Sequence, residues 1–159
     1  MLSSVRSVSY PANMNGPGAG IIEALRGSPA GAALATVLSA AWDLSITSRR
    51  IKALIFAVVA RGLGCEACEA GAAEALRHEK WTDGEIEHLL THLTSDKLEP
   101  FELSVVRFAR ETIRYRTRHI QELAQRFASD LKREELIEII GLIAYANSLT
   151  RMSILLRRC

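Results

Sequence analysis

The feature that most constrains the fold is a helix-capping signal followed by helical periodicity. Thr82 and Glu85 stand in the order of a capping box, in which the Thr hydroxyl and the Glu carboxylate each satisfy an unpaired amide of the first helical turn. The apolar residues that follow recur at i, i+3, i+4 and i+7: Ile86, Leu89, Leu90 and Leu93. This period places one apolar stripe on a helix, whereas a strand would alternate. The segment therefore predicts an amphipathic helix.

Further helices are expected before this segment. Pro29 suits the first turn of a helix because its missing N–H would have no partner there. The next helix takes Thr47 as its N-cap, and its run ALIFAVVA is apolar on every side, which predicts a central position in the core. Gly62 and Gly64 are expected to end it, since glycine readily adopts the left-handed backbone at which many helices end.

The C-terminal half predicts two longer helices. Pro100 starts the first, whose apolar side chains continue on one face as far as Phe127. The second runs from about Lys132 to Leu156 and is largely apolar. The chain has 22 Ala, 20 Leu and 13 Ile against only 7 Val, a composition that favours helices over strands. No convincing strand is found, so we predict an all-α bundle of six or seven helices.

Length and charge limit the organisation and the partners. Residues 1–20 are rich in Ser, Gly and Pro and predict a flexible arm, and residues 21–159 predict one domain. A net charge of +2 is too balanced to favour nucleic acid or an anionic membrane. No run reaches the roughly 18–20 uncharged apolar residues of a membrane span, and no secretory signal is seen, so a cytoplasmic location is expected. An arginine stripe is assigned to a solvated helix face: Arg107, Arg110, Arg114 and Arg118.

Two of the three cysteines form a Cys-x-x-Cys pair, Cys65 and Cys68. A helix beginning at or just before Cys65 places them at i and i+3 on one face, where the unpaired amides and the helix dipole favour a thiolate. Such a pair can close a disulfide, and one thiol can attack a peroxide or a disulfide while the other resolves the intermediate. The alternative is that both are small buried hydrophobes. Cys159 is expected to be a terminal free thiol without a role.

A metal site is the other chemistry considered for these cysteines. His88 and His92 stand at i and i+4, a spacing that can hold zinc, and would complete a Cys₂His₂ set. However, 19 residues separate Cys68 from His88, against about 12 in a zinc finger. We therefore predict no metal and assign both histidines to a solvated helix face.

Residues 44–127 resemble the AhpD-like branch of the carboxymuconolactone decarboxylase family. The resemblance lies in the order of SRRIKALIFAVVA, GLGCEACEAGAAEAL, TDGEIEHLL and PFELSVVRFARETI, and extends more weakly into EELIEIIGLIAYANSLTR. It implies an all-helical fold, homo-oligomers that are often trimers or hexamers, and thiol-dependent peroxidase or disulfide reductase activity. It also implies no tightly bound cofactor and an external dithiol reductant, such as a lipoyl domain or a thioredoxin-like protein.

The resemblance also assigns roles within the site. By analogy, Cys68 meets the hydroperoxide and Cys65 resolves the product. The family's three proton-relay positions are all alanine here: Ala53, Ala67 and Ala72. Glu69 is the candidate replacement relay, although its negative charge also disfavours a neighbouring thiolate, and Arg61 would help if it folds over the pair. General acid–base assistance is worth roughly 10²–10⁴-fold, so a slow enzyme is expected.

Two other interpretations stay open at this point. With the relay residues replaced, the chain could be a structural or redox-sensing oligomer that forms the disulfide without turnover. A decarboxylase-like enzyme is the third interpretation, because the wider family takes its name from one. That branch does not depend on a Cys-x-x-Cys pair, so the pair counts against it.

Overall fold

The computed structural model describes residues 21, 25, 27–43 and 46–156. All regular secondary structure in these residues is α-helix, and none of them forms a strand. The expected N-terminal arm and Cys159 lie outside the described residues. The predicted all-α class is confirmed. Seven helices are described: α1 (Pro29–Asp43), α2 (Arg49–Leu63), α3 (Glu66–His78), α4 (Asp83–His92), α5 (Pro100–Arg114), α6 (Thr117–Asp130) and α7 (Arg133–Leu156).

Helix α2 is the centre of the bundle and packs against α3, α5 and α7. Every residue from 53 to 60 is buried, which confirms the central position predicted from its apolar run. Lys52 is also buried, with only 2% of its surface exposed. Its Nζ donates to the Trp42 carbonyl oxygen of α1 at 2.7 Å and lies 5.9 Å from the centroid of the Trp42 indole ring. Burial of an ammonium group is tolerated only with such partners.

The N-cap of α2 is Ser48, so the prediction of Thr47 was wrong by one residue. The Ser48 Oγ accepts the Ile51 N–H at 3.3 Å, as an N-cap side chain does. The Thr47 N–H instead donates to Glu138 Oε1 of α7 at 3.0 Å, and the Ile46 N–H donates to Oε2 at 2.8 Å. A distant carboxylate therefore holds the segment that enters α2, and this contact shifts the cap by one position.

The capping box of α4 is present as predicted. The Thr82 N–H donates to Glu85 Oε2 at 2.8 Å, and the Glu85 N–H donates to Thr82 Oγ1 at 3.3 Å. Lys97 Nζ also donates to Glu85 Oε2, at 2.7 Å. The Lys97 ammonium, together with the Thr82 amide and hydroxyl, lowers the pKa of Glu85 to about 2.

The long helix predicted from Pro100 to Phe127 is two helices, α5 and α6. The chain turns at Tyr115, which has a left-handed backbone with φ 53°. Phe101 and Phe127 are 26 positions apart, which would separate them by about 39 Å in one continuous helix. Their ring centroids are 5.8 Å apart, and Phe127 also stacks on Phe108 at 5.5 Å. Folding back buries this aromatic cluster, which a continuous helix would leave in water.

Helix α7 confirms the predicted last helix and has two unlike sides. One side is buried in the bundle: Ile139, Leu142, Ile143, Ala146, Leu149 and Thr150. The other exposes Ile137, Ile140 and Leu155. By length and composition alone α7 is apolar enough to cross a membrane. The core helix of a globular protein passes the same test, and the buried side of α7 packs on α2 in this way.

Candidate functional site

The cysteine pair follows a tight helix exit. Helix α2 ends at Leu63, and Gly64 takes a left-handed backbone with φ 72°. The Gly64 N–H donates to the Arg61 carbonyl oxygen at 3.2 Å, and the Cys65 N–H donates to that of Ala60 at 3.0 Å. These bonds satisfy carbonyls that the end of a helix leaves unpaired. The predicted role of Gly64 is confirmed, and the turn carries the chain directly from α2 into α3.

Gly62 serves a different purpose from the one predicted, because it lies within the last turn of α2. A Cβ at this position would lie 2.3 Å from Ile113 Cδ1 and 2.5 Å from Arg110 Nη1. The absent side chain therefore lets α5 approach α2 one turn before the cysteines. Arg110 is also a correction, since the arginine stripe was expected to be solvated. Its Nη1 is buried and has no hydrogen-bond partner among the described residues, whereas Arg107 is exposed.

Cys65 and Cys68 are joined by a disulfide at the start of α3. Cys65 is the N-cap residue and Cys68 lies in the first turn, with 5.3 Å between their Cα atoms. The two differ in access: Cys65 is 2% exposed, whereas Cys68 is only partly buried. Glu66 and Ala67 between them are exposed, as expected for a helix start at the protein surface. An incoming reagent therefore meets Cys68 before Cys65.

A cluster of charged side chains, Arg61, Glu69 and Glu87, joins three helices beside the pair. Arg61 of α2 donates from Nε to Glu69 Oε2 at 2.7 Å and from Nη2 to Glu69 Oε1 at 2.8 Å. It also donates from Nη1 to Glu87 Oε1 at 3.1 Å and from Nη2 to Glu87 Oε2 at 2.5 Å. Hydrogen bonds to Glu87 and Glu69 raise the pKa of Arg61 above its ordinary value. Those from Arg61 and Thr91 lower the pKa of Glu87.

The three alanines at the expected relay positions contribute no proton-handling group. Ala53 and Ala72 are fully buried among apolar side chains, and Ala67 is exposed. Glu69, the candidate relay, has both carboxylate oxygens bonded to Arg61. Arg61 thus reaches the start of α3, and its contact there is with the Glu69 carboxylate.

The histidines do not join the cysteines. His88 and His92 are exposed on α4, with their ring centroids 4.6 Å apart. Across residues 27–43 and 46–156, no three His, Cys, Asp or Glu side chains come close enough together to hold a metal ion. The Cys₂His₂ set that was considered is not assembled in this structure.

Glu87 is the member of the charged cluster that no sequence pattern indicated. It is an exposed acidic residue on the outer face of α4, 18 positions after Glu69, and nothing local distinguishes it from other solvated carboxylates. Only the packing of α2, α3 and α4 brings it to Arg61. The bidentate geometry of that contact, rather than any sequence signal, identifies it.

No protein-family model matches this chain, and no curated protein or solved structure matches it either. The AhpD-like resemblance therefore depends on the motifs quoted above and stays a prediction.

Proposed function

We propose that this protein is a thiol-dependent peroxidase or disulfide reductase of the AhpD-like type. The observation that carries the proposal is the Cys65–Cys68 pair at the start of α3, with Cys68 accessible and Cys65 buried behind it. A redox pair needs one sulfur that a substrate can reach and a second within bonding distance. This arrangement supports Cys68 as the attacking residue and Cys65 as the resolving residue.

The proposed cycle needs only a hydroperoxide and a dithiol. The Cys68 thiolate attacks the terminal oxygen of ROOH, the O–O bond breaks, and ROH leaves after taking up a proton. The resulting sulfenic acid then reacts with the Cys65 thiol to form the disulfide and release water. An external dithiol reduces that disulfide by two exchange steps and is itself oxidised to a disulfide. The reductase reaction needs no peroxide. The reduced pair exchanges with a disulfide substrate, which becomes two thiols while Cys65 and Cys68 form their disulfide.

The charged cluster supports Glu69 as the proton relay. A lone carboxylate beside Cys68 would disfavour its thiolate by charge repulsion. Arg61 donates two hydrogen bonds to Glu69 and keeps this carboxylate in place. Its positive charge is shared with Glu87, so it offsets part of the repulsion. The amides and dipole at the start of α3 favour the thiolate independently.

Assembly and location complete the proposal. Ile137 and Ile140 are 59% and 43% exposed on one side of α7, an apolar surface that supports a homo-oligomer such as a trimer or hexamer. The reductant is proposed to be a lipoyl domain or a thioredoxin-like protein. A cytoplasmic location fits this cycle, because reducing systems there regenerate thiols.

The main experiment is peroxide consumption with dihydrolipoamide as reductant. Cys68→Ser should abolish turnover, and Cys65→Ser should allow one turnover that leaves a trappable sulfenic acid on Cys68. Cys159→Ser is the matched control and should behave as the wild type. Equal rates for the wild type and Cys68→Ser would refute the proposal.

The relay is tested by comparing two glutamates in the first turn of α3. Glu69→Gln should lower the rate of the peroxide step by roughly 10²-fold. Glu66→Gln is the control, since Glu66 is exposed on the same turn. The same loss in both variants would count against a specific role for Glu69.

A redox sensor without turnover is the second candidate. The observation that favours it is the burial of Ala53 and Ala72 where the resembled family keeps proton-handling groups. A sensor would show a disulfide that titrates reversibly against a dithiol and would not consume peroxide catalytically. Turnover that depends on Cys68 excludes this candidate.

A further inference from the structure

A second site lies at the opposite end of α2 from the cysteines. A cavity of about 790 Å³ opens between the start of α2, the start of α5, the end of α6 and the start of α7. Helix α2 has 15 residues and is therefore about 22 Å long, so a ligand here does not reach the disulfide. The site is independent of the proposed redox function.

The cavity has the size and the lining of a small-molecule site. Binding pockets typically measure roughly 300–1,000 Å³ and are mostly apolar with a few placed polar groups. Its apolar wall is formed around the start of α2, by α5, by α6 and by the residue after α6: Ile46, Ile51, Phe101, Leu123, Phe127 and Leu131. Ile46 is 66% exposed, so this wall is open to water at the entrance. Covering it with an apolar ligand would remove apolar surface from water, which is favourable.

The charged groups of the cavity favour an anion. Arg107 of α5 and Arg126 of α6 both line it, are exposed, and make no ion pair with any residue in the described part of the chain. Glu135 also lines the cavity, and its Oε2 accepts the Lys132 N–H at 3.0 Å at the start of α7. The charged lining therefore consists of two guanidinium groups and one carboxylate, and its net charge is positive. Two unpaired guanidinium groups beside an apolar wall complement a molecule with an anionic head and an apolar tail.

The hydroxyl groups of the lining do not change this inference. Ser48 Oγ accepts the Ile51 N–H as the N-cap of α2, and Ser104 Oγ donates to the Pro100 carbonyl oxygen at 3.0 Å. The Ser104 O–H is therefore engaged within α5, whereas the Ser48 O–H can still donate. The arginines are the cationic groups of the lining, and guanidinium pairs well with carboxylate.

We propose that this cavity binds an amphipathic carboxylate of the fatty-acid class. The hydrocarbon tail lies against the wall formed by α2, α5 and α6, and the carboxylate is held by Arg107 and Arg126.

The test is calorimetric titration of the full chain with decanoate below its micelle range. Decanoate should bind saturably, and each methylene removed along the series to octanoate and hexanoate should weaken binding about fourfold. Decyltrimethylammonium, which has the same tail and a cationic head, should not bind. No saturable binding of decanoate, or equal binding of both amphiphiles, would overturn the proposal.

Matched variants locate the site. Arg107→Gln with Arg126→Gln should weaken decanoate binding about tenfold. Arg114→Gln with Arg118→Gln removes the same charge from the same two helices outside the cavity and should leave binding unchanged.

Ser104→Trp is a second and independent variant, because it fills the cavity from an exposed position. It should reduce binding at least as much, and thermal unfolding shows that each variant is folded. Decanoate binding that is the same in both arginine pairs, or unaffected by Ser104→Trp, would show non-specific uptake and overturn the proposal.

Discussion

Replacing Gly64 by alanine should destabilise the protein through the backbone alone. Gly64 has φ 72°, and an added Cβ would have no atom within 4 Å, so no steric contact contributes. A left-handed conformation costs an L-residue about 1–2 kcal/mol relative to glycine. The smaller conformational entropy of alanine in the unfolded chain returns about 0.4–1 kcal/mol. The net loss for Gly64→Ala is therefore about 1 kcal/mol, or about 2–4 °C in Tm for a chain of this size.

Gly141→Ala is the matched control and should have the opposite sign. Gly141 lies in the interior of α7, is exposed, and likewise has nothing within 4 Å of an added Cβ. Alanine in a helix interior is about 0.5–1 kcal/mol more stable than glycine. Within one chain, the two variants thus add the same methyl group to open space and differ in backbone conformation.

The assay is urea unfolding followed by far-UV circular dichroism. A dithiol keeps Cys65 and Cys68 reduced, and one protein concentration is used throughout, because subunit association would shift the midpoint. Gly64→Ala should lower the midpoint and Gly141→Ala should raise it. An unchanged or raised midpoint for Gly64→Ala would show that the turn into α3 does not require a left-handed residue.

Two further predictions concern redox state and pH. Reducing the disulfide should cost at most about 2 kcal/mol, because Cys65 and Cys68 are separated by only three positions and close a short loop. Thermal unfolding with and without a dithiol measures this, and loss of the fold on reduction would contradict it. The pKa of Glu85 is lowered to about 2, so its stabilising contribution is present above its usual pKa and lost as pH falls from about 4.5 towards 2. Glu85→Gln should flatten the dependence of Tm on pH in that window, and an unchanged slope would show that the contact with Lys97 does not matter.

Local signals in the sequence were sufficient for much of the fold. The capping box at Thr82 and the left-handed turn at Gly64 depend on residues a few positions apart, and both are present. The break at Tyr115 has no comparable signal, because neither glycine nor proline marks it. It follows from the contact of Phe127 with Phe101, which only the folded chain creates.

The candidate site also has one part that local sequence signals predict and one part that they do not. The spacing of Cys65 and Cys68 is local, and it predicted their proximity at a helix start. Arg61 and Glu69 were candidates from their positions beside the pair, but their contact with Glu87 could not be predicted. The three residues lie on three helices whose relative positions depend on the whole core.

The burial of Lys52 has a consequence for the docking of α1. Its Nζ loses water when the core closes, and it then donates to the Trp42 carbonyl oxygen at the end of α1. Trp42 also packs edge-on against Phe56 of α2, with ring centroids 6.3 Å apart. Moving α1 away from α2 would therefore take a hydrogen-bond acceptor from a buried ammonium group and an aromatic neighbour from Phe56.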